Sequence, residues 1–107
     1  MNICTFIGRL VSDPVIKDVG STQLVTFSLA IEEYRKDKDG TKKKRVDFLD
    51  FEAWDSGATA FKKVCKKGDL VAIESCARQQ KWITPEEESK ERINFRVKSF
   101  KICNGKD

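Results

Sequence analysis

The stretch "LVTFSLAI", residues 24 to 31, limits this chain to a few architectures. Val25, Phe27, Leu29 and Ile31 alternate with Thr26, Ser28 and Ala30, the period-two pattern of a strand with one buried face. A polar segment follows, "YRKDKDGTKKKR", in which Asp39-Gly40 is a turn signal. Residues 46 to 55, "VDFLDFEAWD", then alternate again. Two alternating runs about a polar turn make a long antiparallel hairpin, and its apolar face needs further strands or a helix to cover it.

The second run poses a problem of its own. Leu49, Phe51 and Ala53 share one side, an ordinary core face. Phe48, Asp50, Glu52 and Trp54 share the other, which mixes carboxylates that imply water with large aromatics that are normally hidden. Either Phe48 and Trp54 await a ligand, or a partner subunit or the helix covers them.

Around the hairpin, residues 3 to 10 are rich in strand formers until Asp13-Pro14 breaks the run. Ser56 or Asp55 is placed to cap a helix whose Phe61, Val64 and Cys65 fall at helical spacing, with Gly68 where helices commonly end. "DLVAIESCARQQKWI" reads as a strand, "TPEEESKE" as a loop or hairpin tip, and "RINFRVKSFKIC" as the closing strand. The order β-β-β-α-β-β predicts an all-β fold, the five-stranded OB-fold Greek-key barrel with one short helix between strands 3 and 4. At 107 residues the chain has room for one modest core, so a single domain over 1–107 is expected.

Charged residues make up 36% and apolar ones 39%, a compact chain with a highly charged surface rather than a disordered one. The apolar runs are too short to span a membrane, and "MNICTFIGRL" has neither the basic start nor the long apolar stretch of a secretory signal, so a cytoplasmic location is expected. Cys4, Cys65, Cys76 and Cys103 lie 61, 11 and 27 positions apart with no CxxC pair and no His in the chain, which is no zinc pattern. They are expected to be reduced, mostly buried thiols, with no metal and no cofactor. Without His, a Gly-rich phosphate loop or a nucleophile motif, an enzyme is not expected, and Asp50 and Glu52 read as a solvated face rather than a catalytic pair.

Charge gives the first functional clue. From Arg35 to Arg45 seven basic residues, Arg35, Lys36, Lys38, Lys42, Lys43, Lys44 and Arg45, stand against two acids, a local balance of +5 in a chain of net charge +4. A protruding basic hairpin suits a phosphate backbone, although such a run is also an ordinary solvated tip. Aromatics distinguish the two. Tyr34 lies at the root of the hairpin, Phe48 and Trp54 on its return strand, and Trp82 on the next strand beyond Arg78, Gln80 and Lys81. Arg78, Gln80 and Trp82 have one parity and share a face. Rings spread along a basic groove are what unpaired bases stack on.

These residues resemble the bacterial single-stranded DNA-binding protein family, from "FIGRLVSDP" through "VTFSLAI", "DKDG", "FLDFEAW", "FKKVCKKGDLVAIES" and "ARQQKW". The resemblance implies a homotetramer, with a dimer as the alternative, in which single-stranded DNA stacks on Phe48, Trp54 and Trp82 while hairpin Lys and Arg residues carry the phosphates. It also implies roles in replication, recombination or repair, and association with the nucleoid. Two departures stand out. Typical members have neutral or basic residues where this chain has Asp50 and Glu52, which are expected to repel phosphate, and they continue into a disordered acidic-tipped tail where this sequence stops at "ICNGKD". That ending leaves a second reading, a tail-less OB adaptor of the replication-restart primosome type that mainly docks proteins, and a third, an RNA-specific module.

Overall fold

Both alternating runs become strands of one long hairpin. In chain order the elements are β1 (Cys4–Leu10), β2 (Val15–Val19), β3 (Thr22–Lys36), β4 (Lys42–Trp54), α1 (Asp55–Val64), β5 (Leu70–Ile83) and β6 (Ser89–Ile102). The computed structural model describes residues 1–104, and the last three residues of the expected 1–107 domain lie outside them. β3 and β4 pair without a slip from Leu24↔Trp54 to Lys36↔Lys42. Their turn is closed by Gly40, whose φ of 86° is costly for any residue with a Cβ, and by the Thr41 N–H donating to Asp39 Oδ1 at 2.9 Å.

One strand was not expected. Asp13-Pro14 does interrupt the first run, but Val15–Val19 resume pairing with β3 as β2, joined through Gly20 and Ser21. Only Ile16 of β2 is partly buried, so the strand lacks the apolar alternation that would announce it. β1 meets β3 at Arg9↔Ala30 and Leu10↔Leu29, and β2 takes over at Val15↔Thr26. The two are one bent barrel strand broken at residues 11–14, so the five-stranded count stands.

The barrel closes because β1 pairs with both β3 and β5, β5 with β6, and β6 with β4. The β4–β6 contact is parallel, at Phe51↔Phe95 and Glu52↔Arg96, while the other pairings are antiparallel. This is the OB-fold Greek key. At the β1–β3 seam the strands approach so closely that a Cβ on Gly8 would stand 2.7 Å from the Ala30 carbonyl oxygen.

The core is a run of rings. Phe51 stacks on Phe27 at 5.3 Å and Phe27 on Phe61 at 4.1 Å, while Phe6 and Phe95 flank Phe51. α1 supplies Phe61 and Ala58, and Phe61 also meets Phe100 edge-on at 4.9 Å. The expected helix stripe holds at Phe61 and Cys65, which are buried together with Ala58, but not at Val64, which is exposed. Neither Ser56 nor Asp55 caps α1: Trp54 is its N-cap residue and makes no side-chain cap bond, so the first turn is held by its junction with β4.

All four cysteines are free, with Cys65 and Cys76 buried and Cys4 and Cys103 half-buried. Burial, then the nearby Asp69 charge, push the Cys65 thiol up to about 11, so it stays protonated and packs as an apolar group. Asp69 is held below the usual carboxylate range by the backbone N–H of Lys66 and the side-chain amide of Asn104, and it fixes the turn between α1 and β5. No helix among the described residues is long and apolar enough to cross a membrane.

Candidate nucleic-acid interface

Phe51 and Ala53 point into the core, so the pleat sends Phe48, Asp50, Glu52 and Trp54 to the outer face of β4. Phe48 is 65% exposed, an unusual position for a large ring. Asp50 accepts a hydrogen bond from Ser28 Oγ at 2.6 Å and remains exposed.

Glu52 and Trp54 depart from the expected wet face. Glu52 is only 3% exposed, and Trp54 is half-buried. The cause is β6, which runs parallel to β4 here and places Arg96 beside Glu52. The Arg96 Nε–H and the Trp54 Nε1–H both donate to Glu52 Oε2, at 3.1 and 2.7 Å, and the Arg96 guanidinium lies over the Trp54 ring at 5.9 Å. Glu52 is therefore neither a solvated carboxylate nor an open repeller of phosphate.

Across β5 the expected parity is met. Arg78, Gln80 and Trp82 stand opposite Asn94, Arg92 and Lys90 of β6. Gln80 donates to Glu52 Oε1 at 3.3 Å, which brings this face level with that of β4. Trp82 is 45% exposed with the Arg92 guanidinium over its ring at 5.9 Å. Lys81 pairs across from Glu91 and alternates to the other side of the hairpin, so it is not brought together with Trp82 and Arg78.

The basic hairpin also divides by face. Its unbroken register puts Tyr34, Lys36, Lys42 and Lys44 on the Phe48 side, and Arg35, Lys43 and Arg45 on the opposite side, with Lys38 at the tip. The opposite set is ion-paired: Arg35 and Lys43 to Asp37 at 3.6 and 3.7 Å, and Arg45 to Asp47 at 3.1 Å. Asp47 also raises the Arg45 pKa above its usual value. On the Phe48 side Lys44 pairs with Glu32 at 3.3 Å and Lys42 sits over the Tyr34 ring at 5.1 Å.

Arg92 and Arg96 were missed as members of this face. The alternation of "RINFRV", residues 92 to 97, carries the signal, since Phe95 and Val97 pack inward, so Arg96 between them and Arg92, of the same parity as Arg96, point to the other face. What the sequence lacks is the neighbour, because β6 meets β4 only through barrel closure. No cluster of three or more His, Cys, Asp or Glu among the described residues could hold a metal.

A closed OB barrel with rings and cations gathered on one outer face is the arrangement of an OB-fold binding module. The profile of the single-strand binding protein family matches residues 1–103, and the chain belongs to that family. A curated relative, the single-stranded DNA-binding protein of Aquifex aeolicus, is 34% identical over 98 residues, which are 91% of this chain and 65% of that protein's length. The chain thus spans under two thirds of that relative. Among solved structures, the Plasmodium falciparum protein in complex with single-stranded DNA superposes with a TM-score of 0.85 at 24% identity, covering 96% of this chain and 95% of that one. The small single-stranded DNA-binding protein of Streptomyces coelicolor gives 0.76 at 18%, covering 98% of both. These two likenesses bear on the barrel.

Proposed function

We propose that this domain binds single-stranded DNA with little sequence preference, stacking bases on Phe48, Trp54 and Trp82 and neutralising phosphates with the hairpin cations and Arg78. The observation that carries this reading is the exposure of Phe48 and Trp82 on the face that also holds Trp54, with basic side chains between them. Every base has a stacking face, so such a platform tolerates sequence. Family membership supports the same reading, with a role in protecting single strands during replication, recombination or repair in the cytoplasm.

Salt dependence tests it. Affinity for an oligonucleotide of thymidines should fall steeply as salt rises, because each neutralised phosphate releases counterions. Replacing Lys36, Lys42 and Lys44 together with Ala should lower the log–log slope by about 2, at about 0.7 per phosphate of a single strand. The Arg35, Lys43 and Arg45 triple variant should change it much less, since those side chains lie on the side of the hairpin away from Phe48 and face Asp37 and Asp47. Equal slopes in both variants would remove the face assignment.

The partner in assembly is a second copy of the chain. Among the described residues, residues 4 to 8 of β1 pair with β5 alone, which leaves their other edge without a strand partner, and Ile3 and Ile7 lie exposed beside it. An open edge flanked by apolar side chains is a template for another strand. This edge supports a homo-oligomer, for which the resemblance to the family favours a tetramer over a dimer. Sedimentation equilibrium should give a multiple of the 12.2 kDa chain mass, reduced by Ile3→Lys with Ile7→Lys. A 12.2 kDa species alone in the wild type would rule the assembly out.

A further inference from the structure

Glu52 sits where a strand carboxylate is not usually found. It is 3% exposed on the outer side of the barrel, and three strands supply its partners. Oε2 accepts from Trp54 Nε1–H and Arg96 Nε–H, and Oε1 accepts from Gln80 Nε2–H. Gln80 Oε1 in turn accepts from Arg92 Nε–H at 3.2 Å, and Arg92 covers Trp82. A continuous set of contacts therefore links Trp54 to Trp82 through Glu52, Gln80 and Arg92.

We infer that Glu52 is a positioning residue that presets Trp54 and Arg96 for an incoming strand and, through Gln80 and Arg92, relates Trp54 to Trp82. This rests on the reading of the face as a single-strand platform. A half-exposed indole turns about two torsions, and ordering it on binding costs affinity. The hydrogen bond from Nε1 to a carboxylate at 2.7 Å is short and charge-assisted, and it fixes the ring plane before the ligand arrives. Arg96 lies over one side of that ring. The same geometry hides the negative charge: Glu52 is buried with Arg96 at 3.1 Å, and the half-exposed Arg96 guanidinium is the part of the pair that faces an incoming phosphate.

The two roles a carboxylate has on such a face differ in sign. A repeller, once neutralised, lets DNA bind more tightly. A positioner, once removed, loosens Trp54 and weakens binding although the face has lost a negative charge.

The test uses the full chain as wild type, Glu52→Gln and Glu52→Leu. Binding is followed by the anisotropy of a fluorescein-labelled thymidine oligonucleotide. Acrylamide quenching of Trp54 is recorded without DNA in a Trp82→Phe background. Quenching should rise in both Glu52 variants, and the dissociation constant should rise by about three- to tenfold, up to the loss of one stacked base. With Trp54→Phe as background, a ring with no N–H to hold, the effect of Glu52→Gln should shrink to under about twofold, as expected when a shared contact has gone. Tighter or unchanged binding by Glu52→Gln overturns the inference, as does unaltered quenching of Trp54. Glu52→Gln keeps the side-chain shape, so the result stands even if Glu52→Leu does not fold. If the wild type fails to bind the oligonucleotide, the platform reading falls, while the quenching measurement still decides whether Glu52 orders Trp54.

Discussion

Phe51→Ala should remove about 3–5 kcal/mol of folding free energy, measured by urea unfolding at equilibrium. Phe51 is 1% exposed and its ring meets those of Phe6, Phe27 and Phe95. It also stands opposite Phe95 in the parallel pairing that closes the barrel, so a cavity there lies at the joint between β4 and β6. Against a total stability of about 5–15 kcal/mol for a small domain, this loss is from roughly a fifth to all of it. A loss under about 1 kcal/mol would mean that the cavity collapses easily, contrary to a ring cluster packed from both sides.

The second large effect concerns binding. Replacing Phe48, Trp54 and Trp82 together with Ala should weaken thymidine-oligonucleotide binding by about 3–9 kcal/mol, at about 1–3 kcal/mol per stacked base. The lower end is already on the order of a hundredfold in the dissociation constant. Single variants need not sum to this, because Trp54 and Trp82 are joined through Glu52, Gln80 and Arg92. The wild-type fluorescence should be quenched on titration as bases contact the indoles. Phe48→Ala with Trp82→Ala should bind less tightly with little change in the melt, since both rings are largely exposed. Trp54→Ala should lower the melt as well, because it takes away a hydrogen-bond donor from a buried carboxylate. A melt that collapses for the Phe48 and Trp82 pair, with binding unchanged, would return these rings to a structural role.

Most of the fold was legible because its signals are local. The alternation in 24–31 and 46–54 and the Asp39-Gly40 turn are contained within about thirty residues, and they define the β3–β4 hairpin without reference to the rest of the chain. β2 escaped because it is an outer continuation of β1 whose side chains mostly face water, so burial leaves no periodic trace in them. The helix cap escaped because α1 begins directly out of β4 at Trp54 with no capping side chain.

The candidate site divides along the same line. Phe48, Tyr34 and Trp82 were readable as exposed rings, since the parity of a strand and the polarity of its neighbours are properties of sequence. The sorting of the hairpin cations onto two faces follows from the register of one turn, and so was within reach of sequence. Glu52 was not. Parity alone placed it in water beside Trp54, where a carboxylate would oppose phosphate. Closure of the barrel brings the β5–β6 hairpin alongside β4, and with it Arg96 and Gln80, 44 and 28 positions away in the chain. A charge is a local fact of composition, but whether it is exposed or paired depends on residues that only the closed barrel makes neighbours.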